Sequence, residues 1–153
     1  TRPPNKPNES ILARGLGAYM LWVGPLVGVV ALLPEILARF TALEFQGEVW
    51  RTMVFSTLVF AELGNALSLR SDKYTVAQLG LLTNKPLILT IVITFFLQLA
   101  VIYVPFLQNI FDTTALNFYE LLLSLGLSTI VFIVVEMSKV IRQRRERSTL
   151  KHA

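Results

Sequence analysis

Two long stretches of uncharged, mostly apolar residues constrain this chain more than any other feature. Residues 15–33 form a run of 19 without a charged side chain, and residues 86–111 form a run of 26. A bilayer's hydrocarbon core is about 30 Å thick and is crossed by roughly 20 helical residues, so either run can span it. Only 16% of the residues are charged, against about 25% in soluble domains. The sequence therefore predicts an integral membrane protein.

Four membrane-spanning helices are predicted, at residues 13–33, 52–69, 86–104 and 117–140. Helices are favoured over barrel strands because the apolar residues are continuous rather than alternating. Pro34 is expected to end the first helix, and Pro86 and Pro105 to begin and end the third. The fold class is then an all-α membrane protein of four antiparallel helices, in a single domain covering residues 1–153.

The distribution of lysine and arginine predicts the orientation of these spans. Twelve of the 14 basic residues lie before or at the start of the first span, between the second and third, or at the end of the fourth and beyond it, and only Arg39 and Arg51 lie in the other two loops. The positive-inside rule therefore places the ends at 1–12 and 141–153 and the middle loop in the cytoplasm. The basic segment after the fourth span suits contact with anionic membrane lipid, and no nucleic-acid partner is expected.

The second predicted span carries a carboxylate near its middle. Glu62 lies between Arg51 and Arg70, with Asn65 three residues later on nearly the same helical face. An acidic side chain at the centre of an isolated membrane helix costs roughly 2.5–3.5 kcal/mol, and such residues usually face a bundle interior or an ion path. Carboxylate and amide oxygens suit calcium, magnesium or a proton. Two interpretations stay open here, a cation site and a protonated glutamate bonded to a neighbouring helix.

Calcium takes about six to eight oxygen ligands, more than this chain offers around Glu62. The other polar candidates inside the spans are scattered over depth and face: Ser56, Thr57, Ser68, Gln98, Ser124, Ser128 and Glu136. Most ligands of a cation at Glu62 would therefore come from helices outside this chain. Together with a first residue that is Thr1 rather than Met, this leads us to expect a fragment of a larger protein.

Other charged residues receive structural interpretations. Glu136 lies three residues before Lys139, which predicts an intrahelical ion pair with a lysine that snorkels toward the cytoplasmic surface. Glu120 is expected to lie at the outer interface. The chain has no cysteine, no glycine-rich phosphate loop and no nucleophile with a plausible base. No catalytic residue is therefore predicted.

Three segments carry a resemblance to a known family. "RPPNKPNESI" before the first span, "FAELGNALSLRSDK" at the end of the second and "LTNKPLIL" at the start of the third resemble the C-terminal membrane domain of P-type cation-transporting ATPases. The nearest group is the reticulum-type calcium pumps and their bacterial relatives. The resemblance covers essentially the whole chain, and the combination with "AELGNAL" is its most specific part.

The resemblance implies that these are the last four of ten membrane helices, with calcium as the transported ion. It implies that Glu62 is a calcium ligand and that Asn65 lies near the site. ATP and magnesium would bind only in domains absent from this chain, and its partners would be lipid and the remaining helices and cytoplasmic domains of the same pump. The expected location is the bacterial plasma membrane.

Two other functions remain open on the sequence. One is a free-standing four-span protein that acts as an accessory or scaffold subunit. The other is a small channel built from several copies, in which the Glu62 side chains form a ring. The length of the native protein distinguishes these functions from a pump domain.

Overall fold

The computed structural model describes residues 16–40, 48–70 and 74–151, and this part of the chain is helical with no strand. In chain order the elements are α1 (Leu16–Phe40), α2 (Val49–Ser68), α3 (Val76–Leu79), a 3-10 turn (Leu81–Thr83), α4 (Lys85–Tyr103), α5 (Pro105–Phe111) and α6 (Phe118–Lys151). The predicted cytoplasmic segment 1–12 and the beginning of the predicted first span lie outside the described residues. So do residues 152 and 153 of the other predicted end.

The all-helical class is confirmed, whereas the number of membrane spans is confirmed only in part. Three helices are long and apolar enough to cross a membrane, over Gly17–Leu37, Lys85–Tyr103 and Phe118–Arg145. Helix α2 has 20 residues, about 30 Å of helix, and is therefore long enough. It is not among the three, and it carries polar residues throughout its length. Its membrane crossing stays a prediction.

Helix α2 lies at the centre of the bundle and packs against α1, α4 and α6. Its buried face is rich in small polar residues, among them Thr52, Ser56 and Thr57, which allow close approach of neighbouring helices. One core cluster joins α1, α2 and α6 through Val23, Val27, Val30, Ala61, Leu127, Val131 and Val135. The valines of α1 recur at intervals of four and three residues, the spacing of one helical face.

Contacts between side chains show that the long helices alternate in direction along the chain. Tyr19 near the start of α1 meets Asn65 near the end of α2, so these two helices are antiparallel. Ser56 in α2 meets Gln98 near the end of α4, 3.2 Å from Oγ to Nε2, so α2 and α4 are antiparallel as well. Helices α2 and α6 run parallel, since Ser68 at the end of α2 contacts Glu136.

Prolines end one predicted helix as expected and fail to end another. Val104 has an extended backbone, because the residue before a proline is driven out of the helical region, and Pro105 then begins α5. The prediction that Pro34 ends the first helix is wrong, since α1 continues through it to Phe40. The Pro34 ring is fully buried. A proline removes only one backbone N–H, and neighbouring helices compensate for it in membrane bundles.

Helix α6 is longer than the predicted fourth span. It continues to Lys151, through most of the segment predicted as a cytoplasmic end at 141–153. The charged residues that end an apolar span, arginine, lysine and glutamate, are good helix formers. The membrane boundary predicted from polarity is therefore not a helix boundary.

Candidate cation site

Glu62 and Asn65 lie on one face of α2, as their spacing predicts. The Asn65 amide nitrogen Nδ2 is 3.4 Å from Glu62 Oε2 and donates to it. Glu62 is exposed in this chain, and Asn65 is half-buried. Among the described residues no lysine or arginine forms an ion pair with Glu62. Its carboxylate is therefore open to a cation or to helices from outside this chain.

Tyr19 of α1 completes this group of polar side chains. Its hydroxyl donates to Asn65 Oδ1 over 2.5 Å, which joins two positions 46 residues apart in the sequence. The sequence patterns did not place Tyr19 at the site. The available signal was a phenol placed deeper in an apolar helix than an interfacial belt requires, because a buried tyrosine hydroxyl usually finds a hydrogen-bond partner.

These three side chains line an open groove of about 360 Å³ between α1 and α2. The rest of its lining is mostly apolar: Met20, Val23, Gly24, Val27 and Leu69. None of the seven other polar candidates from the spans lines the groove, and several are bonded elsewhere. Ser56 accepts from Gln98, for example, and Ser128 donates to the Leu125 carbonyl. Glu62, Asn65 and Tyr19 are therefore the only polar side chains in the described lining of the groove.

The oxygens of the groove do not complete a calcium cage. The lining supplies two carboxylate oxygens, one amide oxygen and one phenol oxygen, against about six to eight for calcium. Among the described residues no group of three or more histidine, cysteine, aspartate or glutamate side chains could hold a metal ion. The arrangement can contribute part of a coordination shell, with the remaining ligands supplied from outside the chain.

A second polar cluster, the Glu136–Lys139 cluster, lies where the last residue of α2 meets α6. Lys139 Nζ is 3.1 Å from Glu136 Oε1 and also donates to the Ser68 carbonyl oxygen. Glu136 accepts from the Ser68 hydroxyl and from the Val76 N–H, the latter at 2.7 Å. The predicted ion pair is confirmed. The predicted snorkelling is wrong, because Lys139 is only 6% exposed and points into the protein.

The Glu136–Lys139 cluster fastens three elements to one another. Ser68 is the last residue of α2, and Val76 is the first residue of α3. The half-buried Glu136 carboxylate and the buried Lys139 ammonium, both on α6, bond a hydroxyl and a carbonyl of α2 and a backbone N–H of α3. Since each charge has a partner, this cluster has the character of a structural brace and differs in that respect from Glu62.

Comparisons with known proteins place the chain in a family. The family described as the C-terminus of cation-transporting ATPases matches residues 1–141. The calcium-transporting ATPase type 2C member 1 of Pongo abelii is 41% identical over 96 residues, 63% of this chain and 10% of that protein. Calcium-transporting ATPase 1 of Saccharomyces cerevisiae is 31% identical over 144 residues, 91% of this chain and 14% of that protein.

A third relative is also a calcium-transporting ATPase by name. The mouse calcium-transporting ATPase type 2C member 2 is 34% identical over 142 residues, which is 91% of this chain and 15% of that protein. The chain thus spans between 10% and 15% of the length of these curated relatives. They come from mammals and a yeast, so they do not support the predicted bacterial plasma membrane. The match over residues 1–141 confirms the resemblance, and this chain belongs to the family of the C-terminus of cation-transporting ATPases.

Proposed function

We propose that this chain is the C-terminal membrane domain of an ATP-driven P-type pump that transports calcium. The names of the relatives support calcium as the transported ion, and their much greater length supports a larger protein. In that protein the phosphorylated aspartate and the sites for ATP and magnesium lie in other domains. The partners of this chain are then those domains, the remaining membrane helices and lipid.

The exposed Glu62 carboxylate in the α1–α2 groove is the observation that carries the proposed site. Placing a charge in a membrane bundle is costly, and the cost is usually reduced by pairing. Glu136 is paired with Lys139, whereas no described basic residue pairs with Glu62. Glu62 therefore supplies two oxygens to the transported cation, Asn65 lies beside them, and the missing ligands come from earlier helices of the pump.

The proposed topology has both termini in the cytoplasm and four membrane crossings, with α2 as the second of them along the chain. The 12 to 2 distribution of basic residues supports it. The central position of α2 among three apolar helices supports this crossing, because its small polar side chains are buried in the bundle and Glu62 and Asn65 line the groove. A carboxylate suits transport because its charge attracts the ion and its protonation permits release.

The length of the native protein separates this function from an accessory subunit or a small channel. An antibody against residues 142–153 should detect a band several times heavier than the 17.2 kDa of this chain. A band near 17.2 kDa would refute the pump domain and would direct the search to a partner or to an oligomeric channel.

The role of Glu62 is tested in the intact pump with Glu62→Gln. This substitution removes the charge and keeps the size, so the calcium concentration for half-maximal phosphorylation by ATP should rise roughly tenfold or more. Glu48→Gln is the matched control, because Glu48 lies at the start of the same helix, is exposed and makes no capping hydrogen bond. Equal calcium dependence in the two variants would refute the role of Glu62.

A further inference from the structure

We infer that Tyr19 is a positioning residue of the cation site, acting on the Glu62 carboxylate through the Asn65 amide. The inference rests on the proposed function, because it gives a residue of α1 a role in the site proposed for α2. Tyr19 would not bind the ion itself. It would anchor the oxygen of the Asn65 side chain on α1, so that the amide nitrogen stays facing the carboxylate.

The Asn65 amide has a defined orientation between Tyr19 and Glu62. An asparagine side chain ends in one acceptor oxygen and one donor nitrogen, and a rotation by half a turn exchanges them. The Tyr19 hydroxyl donates to Oδ1 at 2.5 Å, so the oxygen points toward α1. The nitrogen is thereby turned toward Glu62 and lies 3.4 Å from its Oε2.

No other side chain in the described groove wall donates to the Asn65 oxygen, since the Glu62 carboxylate only accepts. The remaining lining residues are Met20, Val23, Gly24, Val27 and Leu69, which carry no side-chain hydrogen-bond donor. Without the Tyr19 hydroxyl, the Asn65 oxygen would lose its partner on α1, and the side chain would be held only by its contact with Glu62. The carboxylate would then lose a fixed donor and gain rotamer freedom.

Tyr19 is itself held in place. Its ring packs against the core cluster of α1, α2 and α6. It also makes an edge contact with Trp22, with 6.0 Å between ring centroids and 76° between ring planes. A hydroxyl on a fixed ring orients its partner at little entropic cost, which is the basis of pre-organised binding sites.

This arrangement predicts a specific role for Tyr19 in calcium binding. In the ion-free chain Asn65 meets Glu62 as a donor and holds the carboxylate at the groove. Removing the Tyr19 hydroxyl should weaken calcium binding by about 2- to 10-fold, the range that corresponds to one intramolecular hydrogen bond. The maximal phosphorylation level should stay unchanged, since the ring and its packing remain.

The test uses the intact pump with four variants and two readouts. The variants are Tyr19→Phe, Asn65→Leu, the double variant, and Tyr119→Phe as a matched control. Tyr119 is 83% exposed at the start of α6, and its contact with Phe118 is between rings and survives the change. The readouts are equilibrium binding of radioactive calcium, and the half-saturation and maximum of calcium-dependent phosphorylation by ATP.

The expected result is weaker calcium binding in Tyr19→Phe alone, with no further loss when it is added to Asn65→Leu. Such non-additivity is the signature of a residue acting through its neighbour. Equal affinity in Tyr19→Phe and Tyr119→Phe, additive losses in the double variant, or tighter binding would overturn the inference. So would a lower phosphorylation maximum with unchanged half-saturation, which indicates a structural role.

The Glu62→Gln variant separates this inference from the proposed function. If Glu62→Gln leaves calcium dependence unchanged, the site itself is refuted, and the role of Tyr19 falls with it. If Glu62→Gln weakens calcium binding while Tyr19→Phe does not, only the role of Tyr19 is refuted.

Discussion

Replacing Lys139 by methionine in the intact protein tests the Glu136–Lys139 cluster as a structural brace. Methionine keeps most of the length and apolar surface of the lysine stem and removes the ammonium group. Lys139 Nζ lies 3.1 Å from Glu136 Oε1, and the side chain is 6% exposed. The same ammonium donates to the carbonyl of Ser68, the last residue of α2. The substitution therefore leaves both a carboxylate and a helix-terminal carbonyl without this donor.

The size of the expected loss in unfolding free energy depends on the partners that Glu136 keeps. Breaking a buried ion pair by removing one member typically costs about 3–5 kcal/mol, because the other charge stays buried and unpaired. Glu136 keeps its bonds from the Ser68 hydroxyl and the Val76 N–H, and its side chain is 14% exposed. We therefore expect Lys139→Met to lower the free energy of unfolding by about 3 kcal/mol, the low end of that range.

Adding Glu136→Gln to Lys139→Met should recover much of the lost stability. Glutamine is neutral and still offers an oxygen to the Val76 N–H, so no unpaired charge remains. Replacing both members of a buried pair is often close to neutral, and we expect a net cost of about 1 kcal/mol for the double variant. The double variant should thus be more stable than the single variant, by about 2 kcal/mol.

The assay is thermal denaturation of the detergent-solubilised intact protein. The fraction of protein that remains monodisperse is measured after heating to a series of temperatures. Lys85→Met is the matched control, because Lys85 is an exposed lysine at the start of α4. The midpoint should be lowest for Lys139→Met, intermediate for the double variant and unchanged for Lys85→Met. If the double variant were as unstable as Lys139→Met, or if the latter matched the control, the brace would be refuted.

Two further predictions use the same assay. A Cβ at Gly64 would lie 3.4 Å from the Phe132 Cβ, an ordinary contact. Gly64→Ala should therefore be neutral or stabilising by up to about 1 kcal/mol, whereas the extra methyl groups of Gly64→Val should cost about 1–3 kcal/mol. Equal midpoints for these two variants would contradict the close approach of α2 and α6. The Arg51–Asp112 ion pair is exposed, with side chains 43% and 67% accessible, so Arg51→Gln should cost less than about 1 kcal/mol, and a larger loss would contradict a surface pair.

Local sequence patterns determined the helical class and much of the site. The apolar runs predict four spans, and three of these helices are long and apolar enough to cross a membrane, because burying backbone polar groups in a bilayer requires helices and a minimum length. Pro86 and Pro105 predict the bounds of α4 to within a residue, since proline acts on its own turn of the chain. The three-residue spacings predict that Glu62 meets Asn65 and that Glu136 meets Lys139, because such pairs lie within one turn of a helix.

Only the tertiary structure decided which helices face one another and what each polar group meets there. No local pattern specifies that Tyr19 reaches Asn65 across 46 residues, or that Lys139 turns inward to the end of α2 instead of snorkelling. Pro34 shows the same limit, because its ring is accommodated by burial that only the packed bundle provides. The periodicity of one helix predicts which residues share a face. The partner of that face depends on how the helices rotate and pack together, a property of the whole bundle.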